Sequence, residues 1–285
     1  MMSDALSPQP TTPAAPAGPA APLASAASGA RIIAVTSGKG GVGKTFVSAN
    51  LAAALTRRGQ RVLVLDADLG LANLDVVLNL HPKITLHDVF TDKAALDDAV
   101  IAAPGGFDVL LAGSGMVEYS RLTPEVRNQF LNVIQALTPR YDVVLLDTGA
   151  GISDVVLFSV SLASEVLIVA TPEPTSLTDA YAAIKVLAMQ QKRQHVRMVI
   201  NQAARPGDGR AITSQLQQVL DRFVSTESGR PMRLIHMGDI PADTSVRDAV
   251  MRRQLLLLQT PGCPAALAIA QLANKIESTL LSPAA

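Results

Sequence analysis

SGKGGVGKT, residues 37–45, decides how this chain is read. It follows an apolar run, IIAVTS over 32–37, and opens a stretch of helical spacing. There Phe46, Val47, Leu51, Ala54 and Leu55 lie near one face, as far as Gly59. Gly38-x4-Gly43-Lys44-Thr45 in that strand–loop–helix setting is a Walker A phosphate loop. Its glycines let backbone N–H groups curl around a phosphate, and the helix N-terminus adds its positive end. On this reading Gly38, Lys39, Gly40, Gly41, Val42, Gly43, Lys44, Thr45 and Phe46 form the nucleotide-binding segment. Lys44 reaches the β- and γ-phosphates, and the Thr45 hydroxyl coordinates Mg²⁺. Lys39 is one lysine more than the loop needs; taken by itself it reads as a solvated loop residue.

The pattern repeats outward from the loop. VLVLD (62–66), FDVLLAG (107–113), YDVVLLD (141–147), EVLIVAT (165–171), VRMVIN (196–201) and MRLIHMG (232–238) are apolar runs of strand length. Helical stretches separate them, one beginning at Thr123-Pro124 and one spanning about 175–190. Strands apolar throughout, alternating with helices, predict an α/β fold: a three-layer P-loop NTPase architecture, the sheet mostly parallel with helices on both faces. There is no internal repeat. Residues 31–282 are expected to be one ATPase domain. Residues 1–30 hold ten Ala and six Pro and almost no charge, a composition that reads as a disordered tail.

Composition narrows the function. The 285 residues carry 24 basic and 24 acidic side chains, which speaks against a dedicated nucleic-acid binder. One cysteine, Cys263, rules out an internal disulfide framework and a multi-cysteine zinc or iron–sulfur site. His81, His87, His195 and His236 show no metal-ligand spacing. No apolar run approaches a membrane span and no secretory leader is evident, so a cytoplasmic protein is expected.

Three acids stand at the ends of strand runs, where open α/β sheets place ligands. Asp66 and Asp68 lie in LDADLGLANLD, and Asp147 opens DTGAGISD. A hydrophobic strand ending in Asp is the Walker B arrangement, which serves Mg²⁺. Asp66 and Asp147 are read in that role beside Thr45. The late strand ends Asn201-Gln202-Ala203-Ala204 without the Asn-Lys-x-Asp of guanine-specific proteins, so ATP is favoured over GTP. Asn201 is either an adenine contact or a structural strand-end residue.

Together KGGVGKT (39–45), LDADLGLANLD and DTGAGISD resemble the deviant Walker A loop, switch I and switch II of the MinD/ParA ATPases, over essentially all of 31–275. The resemblance implies that two subunits close face to face over two ATP molecules, with Lys39 of each reaching the partner's phosphates. It implies that Asp68 orients the attacking water and that Pro241 and Asp243 of IPAD close the base pocket; an ordinary Asp is a poor base at neutral pH, so hydrolysis is expected to be slow unless a partner improves the geometry. Lys39, Lys44 and Asp68 are thus the expected catalytic residues.

Within the family, VTSGKGGVGKTFVSANLA (35–52), LVLDADLGLANLDVVLNL (63–80) and EPTSLTDAYAAIKVL (173–187) resemble the flagellar number regulators of the FleN/FlhG branch. That branch implies restraint of flagellar assembly through an AAA+ flagellar transcription activator, a signal-recognition-like flagellar placement GTPase, or both. The tail lacks the Asp-Gln-Ala-x-x-Leu-Arg segment by which many such members stimulate that GTPase, which favours the activator. Other open readings are a positioning ATPase acting on DNA or membrane, and a biosynthetic ligase or amidotransferase. The basic pairs Arg57-Arg58, Lys192-Arg193 and Arg252-Arg253 read as solvated helix faces, so no direct nucleic-acid contact is expected. The last helix, about 264–281, carries Leu267, Ile269, Leu272, Ile276 and Leu280 as an apolar stripe but only Lys275 as a cation. It is expected to pack on the domain, with reversible membrane contact left open.

Overall fold

The computed structural model describes residues 29–70, 72–113 and 122–281. Residues 1–28 of the expected tail, Leu71 of LDADLGLANLD and residue 282 lie outside the described residues. Eight strands form one sheet: β1 Arg31–Ser37, β2 Val62–Ala67, β3 Val100–Ala102, β4 Asp108–Leu110, β5 Val143–Ala150, β6 Glu165–Ala170, β7 His195–Ala203 and β8 Arg233–Pro241. Their order is β3-β4-β2-β5-β1-β6-β7-β8. All pairs are parallel except β3 with β4.

The period-2 alternation of each strand feeds two cores. Ile32, Ala34, Leu63, Leu65, Val144 and Leu146 face one side, and Ile33, Val35, Val62, Val64, Val143 and Leu145 face the other. The first side is covered mainly by α3 (Leu86–Phe90), α4 (Leu96–Ala99), α5 (Pro124–Leu137), α6 (Asp154–Leu162), α7 (Pro174–Gln190) and α8 (Asp208–Val219). A wider turn continues α8 into α9 (Thr226–Ser228). The second side is covered by α1 (Lys44–Thr56), α2 (Leu74–Leu78), α10 (Thr244–Met251), α11 (Leu256–Gln259) and α12 (Pro264–Ile276). This is the three-layer architecture expected from the sequence.

Local chemistry sets the helix ends. Gly43 (φ 92) turns the chain into α1. The Thr123 hydroxyl accepts from the Val126 N–H at 3.4 Å, with Pro124 opening α5. Cys263 does the same for α12: its Sγ accepts from the Ala266 N–H at 3.4 Å.

Some expectations change. The antiparallel edge strand β3 is absent from the sequence reading. FDVLLAG shortens to Asp108–Leu110 because the Leu111 carbonyl accepts from the Leu86 N–H instead of a strand neighbour. Helix α12 packs on α1 and β8 with Ile269, Leu272, Ile276 and Leu280 buried, as expected. Leu267 departs from that stripe and is 51% exposed, because Ala266, Ile269, Ala273 and Ile276 define the inward arc. Among the described residues no helix is long and apolar enough to cross a membrane.

Candidate active site

The loop sits where β1 meets its two neighbours, β5 on one side and β6 on the other. The connection after β1 runs to β2 on one side and the connection after β5 runs to β6 on the other, so the winding reverses at this point, which is where open α/β sheets bind ligands. Its root is tied down: the Ser37 carbonyl accepts from the Gly151 N–H at 2.8 Å, and the Ser37 hydroxyl donates to the Lys39 carbonyl at 2.7 Å. Gly38 lies so close to α7 that a Cβ there would fall 2.1 Å from the Asp179 carbonyl. A Cβ on Gly40 or Gly41 would meet nothing within 4 Å, so the tip of the loop is open.

Asp66 and Asp147 are register partners in the β2–β5 ladder. Both point to the α1 side and are almost wholly buried, at 1% and 2% exposure. Burial, and then repulsion from Asp147, pushes the Asp66 carboxyl well above the carboxylate range. The N–H groups of Asp68 and Leu74 point at its oxygens and partly oppose that rise. Burial raises Asp147 to about 6, against hydrogen bonds from Thr45 and Ser48 and the nearby Lys44 cation, which lower it. The Ser48 hydroxyl donates to Asp147 Oδ1 at 2.8 Å. Lys44 is itself pushed down by burial and held up by Asp147 and Asp68. Asp68 lies against Gly149 of the DTGAG turn, where an added Cβ would stand 3.3 Å from its carboxyl carbon. Lys44, Asp66, Asp68 and Asp147 therefore converge.

Thr45, Asp66 and Asp147 are the residues that could hold a divalent cation. Among the described residues no group of three or more His, Cys, Asp or Glu is arranged to hold a metal alone. Two carboxylates whose titration burial has raised, beside the Thr45 hydroxyl, fit Mg²⁺. That ion takes one or two carboxylates and draws its remaining ligands from phosphate and water.

Lys39 stands apart from this cluster. Its ammonium donates to Glu173 Oε2 at 3.0 Å and to the Thr175 hydroxyl at 3.0 Å, at the start of α7. Both ionic partners are well exposed, so the tie is weak. The loop thus separates its lysines: Lys44 inside with the acids, Lys39 at the mouth.

Beyond β1, Asn201 is 5% exposed and its amide donates to the Val42 carbonyl at 2.8 Å. A Cβ on Gly43 would strike that amide at 2.4 Å. Asn201 is therefore a brace behind the loop. Pro241 closes β8, and Asp243 caps two helices, accepting from Ser245 N–H at 2.9 Å and Ala265 N–H at 3.2 Å. Burial would raise the Asp243 carboxyl, but those N–H groups overcome it and leave it lowered.

The structure adds residues that the sequence reading did not single out. Ser48 stands one helical turn after Thr45, the spacing that could have flagged it. Asn73 accepts from the Thr45 hydroxyl at 3.1 Å, linking the LDADLGLANLD segment to the phosphate loop.

Comparison with known proteins agrees with this geometry. The ParA family, in the form described as NUBPL iron-transfer P-loop NTPase, matches residues 29–277. The antiactivator FleN of Pseudomonas aeruginosa is 43% identical over 248 residues, covering 87% of this chain and 86% of FleN. The flagellum site-determining protein YlxH of Helicobacter pylori is 31% identical over 251 residues, covering 88% of this chain and 83% of YlxH. The solved structure of the septum site-determining protein MinD complexed with Mg-ADP from Pyrococcus horikoshii matches with a TM-score of 0.70 at 28% identity. It covers 90% of this chain and 100% of that one. The chain belongs to the ParA/MinD family of P-loop NTPases.

Proposed function

We propose that this protein is an ATP-dependent dimerising switch that regulates flagellar number, chiefly by antagonising an AAA+ flagellar transcription activator. The observation that carries the switch reading is the division of labour between Lys44 and Lys39. One cation already serves the loop's interior, while the other is weakly tethered to Glu173 and Thr175 at an open mouth. The flagellar assignment is supported by the 43% identity to the antiactivator FleN across most of both chains. Joint action with the flagellar placement GTPase is the second arm of the same proposal.

In this reading residues 31–282 act as one ATPase domain. The open loop tip leaves its N–H groups to the β-phosphate, and Lys44 supplies the internal charge. Thr45, Asp66 and Asp147 hold Mg²⁺, which when bound neutralises charge developing on the phosphates. Asp68, beside the DTGAG turn, orients the attacking water. Asn201 and Pro241 border the adenine, and Asp243 shapes that pocket from its two caps. Lys39 exchanges Glu173 for the phosphates of a second copy, a lysine counterpart of an arginine finger supplied in trans. Hydrolysis is slow until a partner improves the geometry.

Deleting the gene and counting flagella per cell tests the flagellar assignment; unchanged flagellation overturns it. The switch reading is tested separately. Lys39→Ala is expected to retain most ATP binding while losing the dimer that ATP induces, measured by light scattering with and without ATP and Mg²⁺. A Lys39→Ala protein that dimerises normally sinks it. The alternative, a positioning ATPase on DNA or membrane, draws on the likeness to MinD. Tight nonspecific DNA binding with a steep salt slope would favour it.

A further inference from the structure

The turn from α10 to α11, Val250-Met251-Arg252-Arg253-Gln254, is exposed at every position. It is anchored from beneath, with Ala249, Leu255, Leu256 and Leu257 buried in the core on the α1 side. Met251 is 77% exposed, the highest value for a large apolar side chain among the described residues. Val250 and, in the helix that follows, Leu258 are about half exposed. Arg247 stands one helical turn before Met251. The single acid between residues 244 and 259 is Asp248.

The three basic pairs of the chain behave differently. Arg57 donates to the Leu257 carbonyl and Arg58 pairs with Glu277. Arg193, expected on a solvated face, instead caps the end of α6 through the carbonyls of Val160, Ala163 and Ser164. The Arg252 and Arg253 guanidinium groups, and that of Arg247, have no hydrogen-bonding or carboxylate partner among the described residues. Arg253 also sits in the left-handed region, φ 53, where a helix end ordinarily takes glycine. An arginine is thus held there against local backbone preference.

We propose that this turn is a contact site for an anionic lipid surface. An exposed apolar residue flanked along the chain by Arg247, Arg252 and Arg253 has the chemistry of an interfacial contact, with apolar atoms entering the headgroup layer and arginines meeting its negative charge. The turn's exposure at every position and its run of cations with a single acid nearby favour an anionic lipid surface. Its apolar apex favours lipid over nucleic acid, whose phosphates reward cations alone. Helix α12, the other candidate for such contact, has its apolar stripe buried and its Lys275 bound to the His236 carbonyl.

The chain has no Trp, so Met251→Trp places a single indole at the apex. Its emission is expected to shift to the blue with phosphatidylcholine vesicles containing phosphatidylglycerol and to stay fixed with phosphatidylcholine alone. In flotation with the anionic vesicles, Met251→Asp is expected to lose binding. Arg252→Ala with Arg253→Ala is expected to weaken it about 30-fold, about fivefold per arginine, with strong salt dependence. Absence of both the blue shift and flotation, with and without ATP and Mg²⁺, overturns the proposal. So does undiminished flotation of Met251→Asp. A blue shift that tracks protein concentration without vesicles points to contact with a second copy and also overturns it. DNA retention lost in the double arginine variant, with vesicles ignored, overturns it in favour of nucleic acid.

Discussion

Asp66 and Asp147 face each other at the ends of β2 and β5, both nearly inaccessible and both titrating above the ordinary carboxylate range. Across β1, Asn201 and Asp243 are polar groups in a similar position at strand ends. There Asn201 donates to the loop carbonyl of Val42, and Asp243 accepts from two helix N-termini. On the first side both carboxylates stay raised by burial although Lys44, the Ser48 hydroxyl and two backbone N–H groups act against it; the second satisfies its polar atoms from its own backbone. A region of unresolved buried charge is incomplete without a ligand, whereas a self-satisfied one is a scaffold. The chemistry of this fold should therefore sit on the β2–β5 side, with the β7–β8 side holding the loop in shape.

The severest way to break that contrast is Lys44→Ala, which removes the cation beside Asp147 and Asp68 and, in the proposed reading, its contact to the phosphates. Nucleotide affinity is expected to fall about 100-fold or more, read by titration of a fluorescent ATP analogue. Near-normal affinity would mean that the acidic side is not the phosphate side.

Asp147→Asn separates two consequences of the same carboxylate. Mg²⁺-dependent ATP hydrolysis is expected to collapse. Stability without nucleotide is expected to rise by about 3 kcal/mol at pH 7, because the wild type must ionise a buried acid that the variant lacks. Native Asp147 keeps its proton up to about pH 6, whereas an unfolded Asp loses it near its ordinary value of 3.8. Wild-type stability from this group is therefore present in acid and lost as pH rises through about 6. The gain of the variant should be absent below about pH 4, grow between 4 and 6 and level off above. Urea melts across that range check it, and an equal gain at every pH would assign the effect to packing.

What the sequence made legible follows the range of the interactions. The phosphate loop could be read because its glycines, Lys44 and Thr45 act within nine residues of each other. Asp66 and Asp147 could be read because an acid at the end of an apolar strand is a local pattern. The ties of Lys39 to Glu173 and of Asn201 to Val42 span more than 130 residues, and they exist because β6 and β7 follow β1 in the sheet. No local pattern encodes that order. Strand β3 escaped because three residues cannot display a period. Ser48 escaped because a small polar residue within an apolar helix reads as filler until the strand opposite it is known. Leu267 shows the reverse error, a residue assigned to an apolar stripe by composition although its angle on the helix turns it outward.

The mildest prediction bears on the scaffold side. Asp243→Ala removes the acceptor for the Ser245 and Ala265 N–H groups and so uncaps α10 and α12 together. About 1 kcal/mol per cap makes a loss of about 2 kcal/mol, or roughly 4–8 °C in a domain of this size. Asp243→Asn, which keeps one acceptor oxygen, should recover about half. ATP affinity should change little in either variant, since the carboxylate oxygens are already engaged by backbone. A fall in ATP affinity beyond tenfold with an unchanged melting temperature would make Asp243 a base contact rather than a cap. The β7–β8 side would then hold the base through a charged side chain rather than only border and brace it, and the contrast between the two sides of β1 would dissolve.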